Sequence, residues 1–175
     1  MNARAKEKAL TEFDREFDSL RTLLRTLQPE ALEKPVYTGE GVGWRVRDLI
    51  PHLAVWQSRA AKAARKVAVS GVKPGPEERV RAILGISETA DELNQATFDE
   101  WKGRNLREQL TEMGKIHQDM MEALNGLRPE LLMNGEAVGD VFLCFRVPGL
   151  EHVRMHRKDI EAAVAKEGET KDMSR

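Results

Sequence analysis

Two histidines near the C-terminus, His152 and His156, are four residues apart in a sequence that contains only four histidines. On a helix this spacing places both imidazoles on one face, one turn apart. Two neutral imidazoles held in this way can bind one divalent metal ion, and a third ligand must then come from elsewhere in the fold. The alternative is a pair of solvated histidines on a charged helix. Both positions lie on or beside the apolar stripe of that helix, so we treat the pair as a metal-site hypothesis.

The best candidate for the third ligand is His52, which lies at the edge of the apolar stripe of an earlier predicted helix. A lone histidine in such a place is more often a structural residue. We consider His52 a ligand because it has an inward position on a long helix that we expect to pack against the last one. The fourth histidine, His117, occupies a core position on its own helix. We interpret His117 as a structural core residue, with a site acid/base or a surplus ligand as the alternatives, because three histidines suffice for an open metal site.

Other chemically competent residues are few. Cys144 can be read as a thiolate ligand or nucleophile, but its apolar neighbours favour a small buried residue. Asp159 and Glu151 flank the histidine pair and are either acceptors for imidazole N–H groups or surface charges. Metal binding requires neutral imidazoles, so occupancy is expected to fall as the pH drops through the histidine pKa of ~6.5.

The elements that must position these residues are helices. Apolar residues recur at spacings of three and four, which predicts an all-α four-helix bundle. The predicted helices cover residues 4–28, 44–70, 105–126 and 149–167, with a less regular one at 77–101. A long crossover connects the second and third bundle helices, and Asn105 with Glu108 gives a capping-box-like start to the third. Pro51 falls inside the predicted second helix, where it is expected to produce a kink beside His52.

Composition limits the classes of function. At 175 residues, with 41% hydrophobic and 33% charged residues, the chain fits one soluble helical domain, which we place at residues 1–168, followed by a charged tail at 169–175. A net charge of −1 offers no global electrostatic case for binding nucleic acid or an anionic membrane. A single cysteine excludes an intrachain disulfide. With no apolar run of membrane length and no signal-like N-terminus, we expect a cytoplasmic protein.

Two short motifs resemble a known family. The stretch from Gly43 to Leu53, Gly-Trp-Arg-Val-Arg-Asp-Leu-Ile-Pro-His-Leu, is similar to the second-helix signature of the DinB-like (YfiT-like) superfamily. There a tryptophan opens the helix and the first metal histidine follows eight residues later. The stretch His152–Ile160 resembles the last-helix signature, in which two more histidines lie four apart. The stretch Leu93–Phe98 and the helix after it also resemble members near the mycothiol-dependent maleylpyruvate isomerases and the colibactin-protecting proteins.

The resemblance implies a four-helix bundle in which His52, His152 and His156 bind one divalent metal, most often zinc or nickel. It also implies a homodimer and, for several members, transferase or isomerase activity with a low-molecular-weight thiol. We therefore expect a metal-dependent transferase or hydrolase that acts on a small molecule, with a thiol as cosubstrate. The alternative is a non-catalytic bundle that binds and sequesters a small toxic or signalling molecule, with a structural metal or none.

Overall fold

The computed structural model describes residues 3–36, 43–71, 84–85, 87–132 and 149–172, and within them the fold is all-α. Five longer helices follow one another along the chain: α1 (Ala3–Thr26), α2 (Leu49–Ser70), α3 (Ala90–Trp101), α4 (Leu106–Gly126) and α5 (Glu151–Asp172). Short helical turns at Pro29–Leu32 and Pro129–Leu132 follow α1 and α4. No strand occurs in these described ranges, and the predicted fold class is confirmed.

The apolar seams predicted from the sequence form the core of the bundle. On α1 the buried side chains are Leu10, Phe13, Phe17, Leu20 and Leu24, which recur every three or four residues. Burying each such side chain stabilises the fold by roughly 1.5–3 kcal/mol relative to leaving it exposed. The seam of α4 is buried in the same way and includes Met113, Met120 and Leu124.

The helix arrangement determines which residues meet. α2 packs along α4 over much of its length and also contacts α3 and α5, while α1 contacts α4 and α5. α5 therefore lies against both α1 and α2. Ion pairs join it to α1: Arg154 pairs with Glu12, and Arg157 lies 3.5 Å from Glu16. In the core, Val153 and Ile160 of α5 are fully buried, so apolar packing and charge hold this helix at one register.

The helix that carries His52 begins later than the sequence pattern predicts. Residues Val46–Asp48 form a 3₁₀ turn, and the α-helix begins at Leu49 rather than at residue 44. Pro51 is therefore in the first turn of the α-helix, where a backbone N–H has no intrahelical partner in any case. The prediction that Pro51 lies in the helix interior is therefore wrong, and with it the reason given for a kink there.

The helix predicted at 77–101 is shorter over its described part. Gly85 has a left-handed φ of +68°, and α3 begins only at Ala90. Thr89 caps it: its side chain accepts a hydrogen bond from the backbone N–H of Glu92, and the Glu92 carboxylate accepts one from the Thr89 N–H. This capping box fixes the start of the helix. Residues 77–83 and 86, in the first half of the predicted helix, lie outside the described residues.

The other predicted boundaries hold more closely. α4 begins after Asn105, and Asn105 and Glu108 form the predicted capping box at 3.0 and 2.9 Å. α5 continues to Asp172, beyond the predicted end at 167. Among the described residues, no helix combines the length and apolar composition that a bilayer crossing requires.

Candidate metal centre

Three histidines from two helices converge at one point of the bundle. His152 Nε2 lies 2.8 Å from His52 Nε2 and 3.0 Å from His156 Nε2. One ligand nitrogen from each of the three residues can be chosen so that all lie within 4.8 Å of one another. The helices thus bring together the three residues that the sequence singles out, and their role as metal ligands stays a prediction.

The local sequence explains the convergence. His152 and His156 are one helical turn apart near the start of α5, with ring centroids 4.6 Å apart. His52 lies in the first turns of α2 and reaches them across the contact between the two helices. His52 and His156 are 0% exposed and His152 is 6% exposed. Because all three rings are buried, their polar nitrogens require partners inside the protein.

Burial keeps two of these rings neutral. It lowers the pKa of His52 to about 3, helped by the nearby His156 and opposed by the hydrogen bond to Asn94. It lowers the pKa of His156 to about 4. Neutral imidazole is the form that can bind a metal, and these two rings keep that form below the pH of ~6.5 at which a model-peptide histidine gains a proton.

Acceptors behind two of the rings fix their tautomers. His156 Nδ1 is 3.0 Å from Asp159 Oδ2, and His52 Nδ1 is 2.9 Å from Asn94 Oδ1. Oxygen accepts, so Nδ1 carries the proton in both rings and the lone pair is on Nε2, which faces the cluster. Burial raises the pKa of Asp159. The predicted acceptor role of Asp159 is confirmed.

Glu151, for which the sequence left both an acceptor role and a surface charge open, lies 3.4 Å from Arg154 and is 43% exposed. Asn94 was missed as a site residue. Its signal in the sequence was a polar residue next to Leu93 and one turn before Thr97, on the buried face of α3.

The donor set fits a divalent metal. An imidazole nitrogen carries at most one proton, so His152 Nε2 can donate to only one of its two Nε2 neighbours. A cation at the centre of the cluster satisfies all three lone pairs at once. Three imidazoles suit zinc, nickel, copper or iron, and three protein ligands leave an open coordination position, as catalytic zinc sites do.

Aromatic rings cover the His52 side of the cluster. The Trp44 ring centroid is 4.8 Å from that of His52 and 5.2 Å from that of Phe98 on α3. The backbone carbonyl of Trp44 accepts a hydrogen bond of 2.8 Å from the Val36 N–H, which fixes the segment before α2. An apolar cover of this kind excludes water and strengthens electrostatic interactions inside the site.

His117 is not part of the cluster. It is 3% exposed, and its ring stacks on Phe17 with centroids 3.6 Å apart. Its Nδ1 is 3.3 Å from Gln57 Oε1 and its Nε2 is 3.2 Å from Asp14 Oδ1. Burial lowers its pKa to about 4, although the hydrogen bond to Asp14 opposes the shift. The interpretation of His117 as a core histidine bonded to neighbouring helices is confirmed, whereas Cys144 lies outside the described residues.

Comparison with known proteins identifies a family for this chain. The family model described as mycothiol maleylpyruvate isomerase N-terminal domain matches residues 13–161. The matched region contains the three histidines together with Asn94 and Asp159, and it confirms the DinB-like resemblance. No curated protein and no solved structure matched significantly.

Proposed function

This chain belongs to the family of mycothiol maleylpyruvate isomerase N-terminal domains, and we propose that it is a metal-dependent enzyme acting on a small electrophile with a low-molecular-weight thiol. His52, His152 and His156 are the proposed ligands of one divalent metal ion, zinc or nickel. Transfer, isomerisation and hydrolysis all lie within the reaction class that a thiol or water nucleophile permits.

The observation that carries the proposal is the convergence of three buried Nε2 atoms, two of them with an oxygen acceptor behind the ring. The Nε2 atoms of His52 and His156 both face His152 Nε2, at 2.8 and 3.0 Å, so three imidazole nitrogens surround one point. Metal-binding histidines characteristically donate their outer N–H to a carboxylate or an amide carbonyl. This arrangement supports a metal site more strongly than a packed core.

In this proposal the three histidines bind the metal, and neighbouring residues orient the histidine rings. Asp159 and Asn94 accept the outer N–H groups and raise the basicity of the two ligands they contact. A divalent metal in the site would supply an open coordination position and lower the pKa of a thiol or water placed there. Trp44 and Phe98 exclude solvent from the His52 side, where charge interactions then become stronger.

The thiol is the part of the proposal that depends most on the family. The matching family is named for mycothiol and maleylpyruvate, so these two compounds are the first cosubstrate and substrate to test. A reduced thiol requires a reducing compartment, so the proposal includes a cytoplasmic location. The homodimer implied by the resemblance stays a prediction, which light scattering at micromolar concentration can check.

The experiment uses protein in which cobalt(II) replaces the native metal, because cobalt absorption reports ligand exchange at the ion. Adding mycothiol should produce a thiolate-to-cobalt absorption band, and the zinc- or nickel-loaded protein should isomerise maleylpyruvate or another small electrophile only with the thiol present. Glutathione serves as the control thiol. The His117→Gln variant should behave like the wild type because His117 lies outside the cluster.

A metal-loaded protein with neither a thiol-dependent band nor thiol-dependent turnover would contradict the proposed enzyme. That outcome would favour the non-catalytic alternative, a bundle that binds and sequesters a small molecule. Wild-type protein that takes up no metal at all would contradict the ligand set itself.

A further inference from the structure

One oxygen atom of Asn94 lies within hydrogen-bond distance of two side chains of α2. Asn94 Oδ1 is 2.9 Å from His52 Nδ1 and 3.2 Å from Trp56 Nε1. Asn94 is 3% exposed. Protein groups, rather than bulk water, therefore decide which way its amide points.

The indole of Trp56 settles the orientation of this amide. Indole Nε1–H is a donor and has no acceptor atom, so only the oxygen of Asn94 can face it. If the amide turned over, its NH₂ group would face the indole N–H, and two donors would meet in a buried place. Leaving buried donors unsatisfied is costly, so Trp56 disfavours the turned amide.

The orientation of the amide in turn settles the tautomer of His52. Facing the Asn94 oxygen, Nδ1 must carry the proton, and the lone pair is left on Nε2 next to His152. Facing an NH₂ group instead, Nδ1 would accept, and the proton would move to Nε2. A protonated Nε2 cannot bind a metal, so the turned amide would remove His52 from the ligand set.

We propose that Trp56 is a positioning residue that orients the Asn94 amide and thereby holds His52 in its metal-binding tautomer. We call His52, Asn94 and Trp56 the tautomer relay. It rests on the proposed metal site, and neither Asn94 nor Trp56 touches the reacting atoms. Asn94 belongs to α3, which lies between α2 and α4 in the chain. The packing of α3 on α2 therefore also affects metal affinity.

The placement of the three residues suits this role. Trp56 follows His52 by one helical turn on α2, so both side chains reach the same face, and their ring centroids are 6.5 Å apart. α3 packs against α2 and carries Asn94 to that face. The two donors and one shared acceptor thus come from elements in direct contact.

The test combines a tautomer measurement with a metal titration. Trp56→Phe keeps an aromatic ring but removes the N–H that orients the amide. Asn94→Asp supplies two oxygens, which accept in either orientation and make the indole unnecessary. The tautomer of His52 is read from ¹⁵N-histidine NMR of the metal-free protein, and zinc affinity is read by competition with a chelator.

In wild-type protein, His52 should carry its proton on Nδ1. Trp56→Phe should give a mixture of tautomers and weaken zinc binding by about 10–100-fold, the usual effect of removing a partner behind a metal ligand. Adding Asn94→Asp to Trp56→Phe should restore both the tautomer and the affinity. Trp101→Phe is the matched control: Trp101 is a buried tryptophan near the end of α3 and makes a cation–π contact with Arg104. It should change neither readout.

A Trp56→Phe protein with an unchanged tautomer would overturn the relay, and so would a folded double variant in which Asn94→Asp restores nothing. If Trp56→Phe fails to fold, Asn94→Leu removes the acceptor while keeping the branched shape of the side chain, and it must disturb the His52 tautomer for the proposal to stand. The tautomer measurement needs no metal. A relay that fails while the wild type binds zinc is therefore distinguishable from a wild type that binds no zinc.

Discussion

The Nε2 atom of His52 lies 2.8 Å from the Nε2 atom of His152, although the two residues are 100 positions apart in the chain. Each nitrogen is placed by the first turns of a different helix, so the packing of α2 against α5 sets their separation. Val153 and Ile160, both fully buried, fix α5 in that packing. The site is therefore sensitive to changes in the core as well as to changes in its own residues.

Asp159 is predicted to matter for metal affinity without being a ligand. Replacing it with alanine removes the acceptor 3.0 Å from His156 Nδ1. The ring is then free to adopt the other tautomer and is less basic, so zinc affinity should fall by about 10–100-fold. Chelator competition measures this change. Glu161→Ala is the control, because Glu161 is an exposed carboxylate of α5 that pairs with Arg157. Equal affinities for the two variants would contradict this role for Asp159.

The buried histidines predict a pH dependence of stability in the metal-free protein. The pKa of His52 is lowered to about 3 and that of His156 to about 4 in the folded chain, from an ordinary value of 6.5. Between about pH 6.5 and 4 the unfolded chain therefore binds more protons than the folded chain. The free energy of unfolding should therefore decrease as the pH is lowered from about 6.5 to 4, by up to about 1.4 kcal/mol per pH unit for each histidine.

Urea unfolding near neutral pH and near pH 4.5, both with a chelator present, measures this slope. His117→Gln should make the free energy of unfolding less dependent on pH, because the pKa of His117 is also lowered, to about 4, and the variant lacks this histidine's contribution. A free energy of unfolding that stays constant between the two pH values would contradict the burial of neutral histidines.

Lys6, in the first turn of α1, is predicted to stabilise the C-terminal end of α4. Its Nζ donates to the backbone carbonyls of Asn125 at 2.5 Å and Leu127 at 2.6 Å. Those carbonyls lack helical partners, and a cation there also complements the helix dipole. Lys6→Met should lower the free energy of unfolding by about 1–3 kcal/mol and leave metal binding unchanged. Lys8→Met, at an exposed position of α1, should lower the free energy of unfolding far less. Equal losses of stability in the two variants would contradict the capping role of Lys6.

The helices and the meeting of the histidines were predictable because both depend on periodicity. A spacing of four on α5 fixes a shared face, and the seam of α1 shows where that helix must pack. The tautomer relay was not predictable from the same pattern. It depends on where α3 docks on α2, and the irregular stripe before Thr89 gave the wrong start for that helix.

Pro51 illustrates a second limit of sequence patterns. Its effect depends on whether it stands within a helix or at its beginning, and the pattern of apolar residues continues through the 3₁₀ turn at Val46–Asp48 without marking the change. The backbone N–H of Arg45 donates to the Asp48 carboxylate at 2.8 Å, and this contact stabilises the turn before α2. A hydrogen bond of this kind leaves little trace in hydrophobic periodicity.

We predict that His52, His152 and His156 act as one ligand set. Elemental analysis of untagged protein after dialysis, for the wild type and four single alanine variants, tests it most directly. The wild type and His117→Ala should retain about one metal ion per chain, whereas His52→Ala, His152→Ala and His156→Ala should retain none while staying folded, because two imidazoles are too few to hold the ion. Stoichiometric metal in the His52 variant, or loss in the His117 variant alone, would show that the ligands are a different set of residues.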